Sequence, residues 1–128
     1  MPRITLKADC HPTEDPSKVR DALLNIFPDA EIEEVERGLI ARSTSIERFR
    51  EIIWNLKILD TARSVMRGSM REGRTRFAIN KQVACVGKVS FVEEHMPLGS
   101  IQVVIEDPHL EALIDYIAPT TERGEVVG

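Results

Sequence analysis

Residues 100–106, SIQVVIE, set Ile101, Val103 and Ile105 on one side of an extended chain and the intervening residues on the other. A period of two is the mark of a strand with one buried face. Residues 3–10, RITLKADC, repeat it, with Ile4, Leu6, Ala8 and Cys10 set against Arg3, Thr5, Lys7 and Asp9. Arg74 to Ile79 is another such run, with Phe77 and Ile79 inward. Strands with one apolar face, rather than uniformly apolar ones, belong in an antiparallel sheet with one side covered. The predicted fold class is therefore α+β. It is a two-layer sandwich whose mainly antiparallel sheet is covered on one face by helices, in the order β-α-β-β-α-β-β-β-α.

The remaining elements are read from punctuation and helical periodicity. Asp15-Pro16 starts a helix, with Asp as the N-cap and Pro at the first helical position, where no N–H is needed. Val19, Ala22, Leu23, Ile26 and Phe27 form its stripe, and Pro28-Asp29 ends it. Residues 30–44 read as an acidic hairpin turning at Arg37-Gly38. The alternation slips between Ile32 and Val35, which predicts a bulge. Thr44 and Glu47 have the spacing of a capping box. A helical pattern follows to about Met70, as one helix or as two broken near Lys57-Ile58. Gly68 is read as its C-cap. After Arg74–Ile79, residues 80–82 are polar, 83–86 are apolar, and Lys88 to Val92 form the next strand. Met96 to Gly99 is a turn. Asp107-Pro108 repeats the Asp-Pro start before the stripe Leu110, Leu113, Ile114 and Ile117, which Pro119 stops. Residues 1–118 read as a single domain and 119–128 as a polar, frayed tail.

A chain of 128 residues is about one domain and long enough to bury a core without staples. Cys10 and Cys85 are far apart and read as reduced core residues. The N-terminus lacks the pattern of a secretory signal, and no apolar run approaches a membrane span. The chain reads as soluble and cytoplasmic, with no membrane partner.

Charge is distributed unevenly. The net charge is −4, yet Lys57 to Lys88 holds eight basic residues against Asp60 and Glu72, a local +6. Arg63, Arg67 and Arg71 recur every four residues, on one face of a continuous helix. Arg74 and Arg76 share one face of a strand. Guanidinium forks match phosphate oxygens, so this row suits a nucleic-acid backbone. Pairing with the acidic hairpin, or simple solvation, is the plainer account, and Asp60 stands three residues from Arg63. Asn80, Lys81 and Gln82 suit contact with a base edge, a 2′-OH or a phosphate, and equally suit a capped turn. Gly68 to Thr75 imitates a phosphate-binding loop but follows a helix and precedes a strand. That order presents the wrong end of the helix dipole. His11, His95 and His109 are scattered, so no metal site is predicted. No nucleophile has an identifiable base, so the chain reads as not an enzyme, without cofactors.

The segments ILDTAR (58–63), FAINKQVA (77–84) and VGKVSF (86–91) resemble the motif core of a family of small archaeal proteins, the UPF two-hundred-and-one group. The resemblance covers nearly the whole chain. It implies an RNA-associated role and a fold like the ribosomal-protein-L-five type, with no catalytic residues to carry over. The matching positions are Asp60, Arg63, Asn80, Lys81, Gln82, Gly87 and Lys88. The expectation is an RNA-binding module contacting structured RNA through Arg63, Arg67, Arg71, Arg74, Arg76, Asn80, Lys81, Gln82 and Lys88. The alternative is a protein-interaction or homodimerisation module using the same basic face against an acidic surface.

Overall fold

The alternating runs become strands and lie side by side. A computed structural model describes residues 1–93, 99–122 and 125–126. The chain runs β1 (Arg3–Asp9), α1 (Pro16–Ile26), β2 (Glu31–Val35), β3 (Gly38–Ser43), α2 (Glu47–Asn55) and α3 (Leu59–Gly68). It continues through β4 (Arg74–Asn80), α4 (Lys81–Cys85), β5 (Phe91–Val92), β6 (Ser100–Glu106) and α5 (Leu110–Ile117). A small hairpin, β7 (Thr121–Glu122) with β8 (Glu125–Val126), follows where a frayed tail was expected. Strands β1 to β6 form one sheet in the order β2-β3-β1-β6-β4-β5, and every neighbouring pair is antiparallel. The α+β class with one open sheet is as expected. Among the described residues, no helix is long and apolar enough to cross a membrane.

Pleat parity makes the two layers. Ile4, Leu6, Ala8, Leu39, Ala41, Thr75, Phe77, Ile79, Ile101, Val103 and Ile105 all point one way and are buried. Against them pack Val19, Ala22, Leu23 and Ile26 of α1, Phe49, Ile52 and Ile53 of α2, Leu59, Ala62 and Met66 of α3, and Leu110, Ile114 and Ile117 of α5. Phe27, Phe49 and Phe77 stack in series through this core and Phe91 meets Phe77 edge-on, with successive centroids 5.5–5.7 Å apart. The opposite parity faces away from the helices. Arg3, Lys7, Arg42, Arg74 and Arg76 are exposed there, and Thr5, Gln102 and Val104 are half-buried. Ala78 and Ser100, at one end of that face, are the buried exceptions.

Of the two readings of the long helical pattern, the structure has two helices with the break at Lys57, whose φ is 58°. Several other local expectations are corrected. The expected capping box does not form. Asp29 accepts from the Thr44 N–H at 3.2 Å, and Ser45 Oγ accepts from the Glu47 N–H instead. The hairpin turns at Glu36-Arg37, with Arg37 at φ 64°, and Gly38 is the first residue of the return strand. Gly38 is needed there because a Cβ would lie 2.6 Å from the Ala8 carbonyl oxygen. No bulge interrupts β2: its register runs unbroken from Glu31 opposite Arg42 to Val35 opposite Gly38. As an edge strand, β2 is exposed along most of its length, so nothing demands strict alternation.

The apolar run 83–86 falls mostly in α4, and the strand expected over Lys88–Val92 shrinks to β5. Gly68 is the last residue of α3 rather than a left-handed cap. The left-handed residues are Glu72 and Gly73, in the turn before β4. The Asp15-Pro16 start holds, with Asp15 at the N-cap of α1 accepting from the Ser17 N–H at 2.9 Å. Asp107-Pro108 does not repeat it: Asp107 accepts from the His109 N–H at 2.7 Å in a turn, and α5 begins only at Leu110 with His109 at its N-cap. The turn expected at 96–99 lies largely outside the described residues.

Two glycine substitutions separate these roles. Gly38→Ala should destabilise the protein by about 1–3 kcal/mol, because backbone must move to admit the methyl group. Gly68→Ala, in open space at a helix end, should stabilise it by about 0.4–1 kcal/mol. Denaturant titration of both variants measures the contrast.

Candidate nucleic-acid interface

The arginine row meets its own helix layer first. The last turn of a helix leaves carbonyls without intrahelical donors. At the end of α5 these are supplied from α2 and α3: Arg50 Nε donates to the Tyr116 carbonyl at 2.8 Å, Trp54 Nε1 to that of Ile117 at 2.8 Å, and Arg63 Nη1 to that of Ala118 at 3.0 Å. The Arg50 guanidinium lies between the Trp54 and Tyr116 rings, 4.5 and 4.4 Å from their centroids. Arg63 also pairs with Asp115 at 2.7 Å rather than with Asp60, whose carboxylate accepts from the Thr121 hydroxyl. Arg67 pairs with Glu111 at 3.1 Å. Arg71 lies beyond the end of α3.

From Arg71 the chain passes around the end of the sheet. Arg71 and Arg74 exchange backbone hydrogen bonds of 2.8 and 3.0 Å across the turn, so their side chains start from adjacent positions. Arg74 then stands in a cross-strand row with Glu106 and Arg3, and the Glu106 carboxylate lies 3.2 Å from Arg74 and 3.8 Å from Arg3. The next row holds Arg42, Thr5, Val104 and Arg76, and Lys7 stands in the row after it. On the open face, strands β3, β1, β6 and β4 together carry five cations against two acids, Asp9 and Glu106. Arg3, Lys7 and Arg42 lie outside the basic stretch and were not anticipated as part of the site. Their signal was the polar parity of β1 and β3, which acquires meaning only once β4 is known to lie two strands from β1.

The segment 80–82 is mainly architectural. Asn80 caps α4, accepting from the Val83 N–H at 2.9 Å. Asn25 holds the other end of α4 through the Ala84 and Cys85 carbonyls. The Lys81 side chain is only 4% exposed. Its ammonium donates to the Asp9 carbonyl at 2.6 Å and to both Glu14 oxygens at 3.0 Å. The expectation that Lys81 faces a phosphate is therefore corrected: its three donors are engaged inside the fold. Gln82 and Lys88 are exposed but lie at the other end of β4 from Arg71. Seven residues of strand separate the two ends, roughly 20 Å.

A cleft of about 440 Å³ is lined by Asp9, Cys10, His11, Pro12 and Arg37. Glu14, the acid beside it, is tied to Lys81 and to the His11 N–H. Cys85 is exposed rather than in the core, and Cys10 is half-buried.

A family model described as RNA binding matches residues 3–106. A UPF0201 protein of Methanothermobacter thermautotrophicus is 38% identical over 131 residues, covering 99% of this chain and 98% of its own length. A UPF0200/UPF0201 protein of Archaeoglobus fulgidus is 39% identical over 127 residues, and the chain spans only 39% of that longer relative. The crystal structure of the Methanococcus jannaschii UPF0201 protein superposes with a TM-score of 0.88 at 35% identity, covering 98% of this chain and 99% of the other. The likeness to the ribosomal-protein-L-five type rests on none of these matches.

The Lys81–Glu14 pair is testable by mutation and by pH. Lys81→Met leaves the Asp9 carbonyl without this donor and Glu14 without its ammonium partner, with only the His11 N–H remaining to Glu14. It should destabilise the fold by about 1–3 kcal/mol, read by denaturant titration. Desolvation works to raise the Glu14 pKa, but the His11 N–H and Lys81 outweigh it and hold the carboxyl below its usual value. The contribution of Glu14 is then present above the ordinary carboxylate pKa and is lost as pH falls through the lowered one. The wild type should lose more stability on acidification than Glu14→Gln does, as followed by melting temperature against pH.

Proposed function

The chain belongs to the UPF0201 family, and from that premise we propose that it is a non-catalytic module that binds structured RNA by its phosphates. The observation that carries this reading is the gathering of basic residues from different strands on the open face of the sheet. Arg67, Arg71, Arg74 and Arg76 pass from α3 around the end of the sheet onto its open face, where Arg3, Lys7 and Arg42 extend them. The match to a family model described as RNA binding supports it. Gln82 and Lys88 provide a second point of contact beyond the far end of β4, and Asn80 orients Gln82 by capping α4. Arg63 contributes by holding α5.

The mode of recognition follows from what the open face lacks. The strand positions that form it carry no aromatic side chain. The four phenylalanines pack against one another in and beside the core, and Trp54 and Tyr116 enclose Arg50. Base stacking, which binds single strands, has no platform there. Phosphate and 2′-OH contacts, which read the shape of a duplex, need none.

The second reading uses the same face. Glu31 and Glu33 stand at its β2 edge, and Arg74 and Arg76 lie toward the other. Two copies are therefore partly self-complementary. Sedimentation of nucleic-acid-free protein separates the readings, since a dimer that dissociates with salt favours this one.

Charge reversal tests the first reading. Arg74→Glu/Arg76→Glu and Arg67→Glu/Arg71→Glu should each abolish binding to an RNA duplex while leaving the melting temperature within a few degrees of wild type. Wild-type affinity should fall steeply with salt, by about 0.9 in log–log slope per phosphate contacted. Undiminished binding by both double variants sinks the proposal.

A further inference from the structure

Two carboxylates of α5 meet two arginines of α3, and the pairs are not equivalent. Arg63 is 21% exposed and makes two bonds, to Asp115 and to the Ala118 carbonyl, so it is part of the cap that holds the end of α5. Arg67 is 42% exposed and meets Glu111, 64% exposed, through a single Nη1–Oε1 contact of 3.1 Å. Each partner of this second pair is favoured by its own helix. Glu111 lies in the first turn of α5 and Arg67 in the last turn of α3, where the helix dipoles suit an anion and a cation respectively. Neither needs the other to remain charged and solvated. An exposed pair of this kind contributes little, and one-point contact leaves the rest of the guanidinium fork unmatched.

We propose that Glu111 is an internal competitor for phosphate: its carboxylate occupies, on Arg67, the place of a phosphate oxygen, and RNA must displace it to engage the α3 end of the basic strip. The inference rests on the RNA reading above and goes beyond it by assigning a masking contact. Arg63, fixed by the Ala118 carbonyl, is not released in the same way. The α3–α5 seam therefore has a fixed end at Arg63 and an exchangeable end at Arg67. A phosphate contacting Arg67 bidentately takes over the fork, and Glu111 returns to solvent.

The test is a set of binding titrations with a fluorescent RNA duplex. Glu111→Gln should tighten binding about two- to fivefold at low salt. The gain should fade as added salt screens the Glu111–Arg67 pair that RNA has to displace. Asp115→Asn removes the same charge one helical turn away and should change affinity by less. In an Arg67→Ala background, Glu111→Gln should have no effect. A gain that persists without Arg67, or that Asp115→Asn equals, reflects the general field of the surface and overturns the proposal. Wild-type binding with Glu111→Gln unchanged overturns the masking contact alone. Absence of binding by both proteins overturns it together with the RNA reading. Binding by Glu111→Gln but not by wild type supports both. Melting curves confirm that each variant is folded.

Discussion

One-sided burial of the six-stranded sheet is the constraint on which the rest depends. Successive side chains of a strand point to opposite faces, so each strand here has one set of residues in the core and one facing away from the helices. With β1 held between β3 and β6, Leu6 stands opposite Ala41 and Val103, and the three apolar sets coincide. A slip of one residue would turn Ile4, Leu6 and Ala8 outward and bring Thr5 and Lys7 into the core. The helices have one surface to cover, and the open surface is left to whatever the polar parity carries. The candidate interface is thus a consequence of the core, viewed from the other side of the sheet.

The helix layer is fastened by polar groups where apolar packing ends. The carbonyls at the end of α5 are taken by Arg50, Trp54 and Arg63. The end of β1 and the start of α1 are joined through Lys81 and Glu14. Each such bond contributes on the order of 1 kcal/mol net, but a buried acceptor left without its donor costs more than the bond contributes. These side chains therefore set how helices and sheet meet rather than supplying the bulk of the stability. They also divide the basic stretch. Arg63 and Lys81 are interior fasteners, while Arg71, Arg74 and Arg76 are exposed.

Elements driven by periodicity were legible in the sequence. The runs at β1, β4 and β6 and the stripes of α1 and α5 fall where predicted, because burial of an alternating or helical face is a local signature of a global need. The misreadings share a cause. The Thr44-Glu47 spacing is that of a capping box, but Asp29, fifteen residues earlier, takes the Thr44 N–H. Gly38 looks like a turn residue, but its lack of a Cβ serves the approach of Ala8 across the sheet. Residues 81–85 form a helix because Asn80 caps one end and Asn25 the other. In each case the deciding partner is distant in sequence.

By itself, the sequence determined the class of fold, the number of layers, the start of α1 at Asp15-Pro16 and the place where basic charge gathers. All of these follow from residue type and spacing along one segment. Only the tertiary structure decided which of those charges face solvent and which brace the fold. It also brought Arg3, Lys7 and Arg42 beside Arg74 and Arg76, and set Glu111 against Arg67. The physical reason is that a charge acts through what lies within a few ångströms of it in space, and in an antiparallel sheet the nearest neighbours come from strands far apart in the chain.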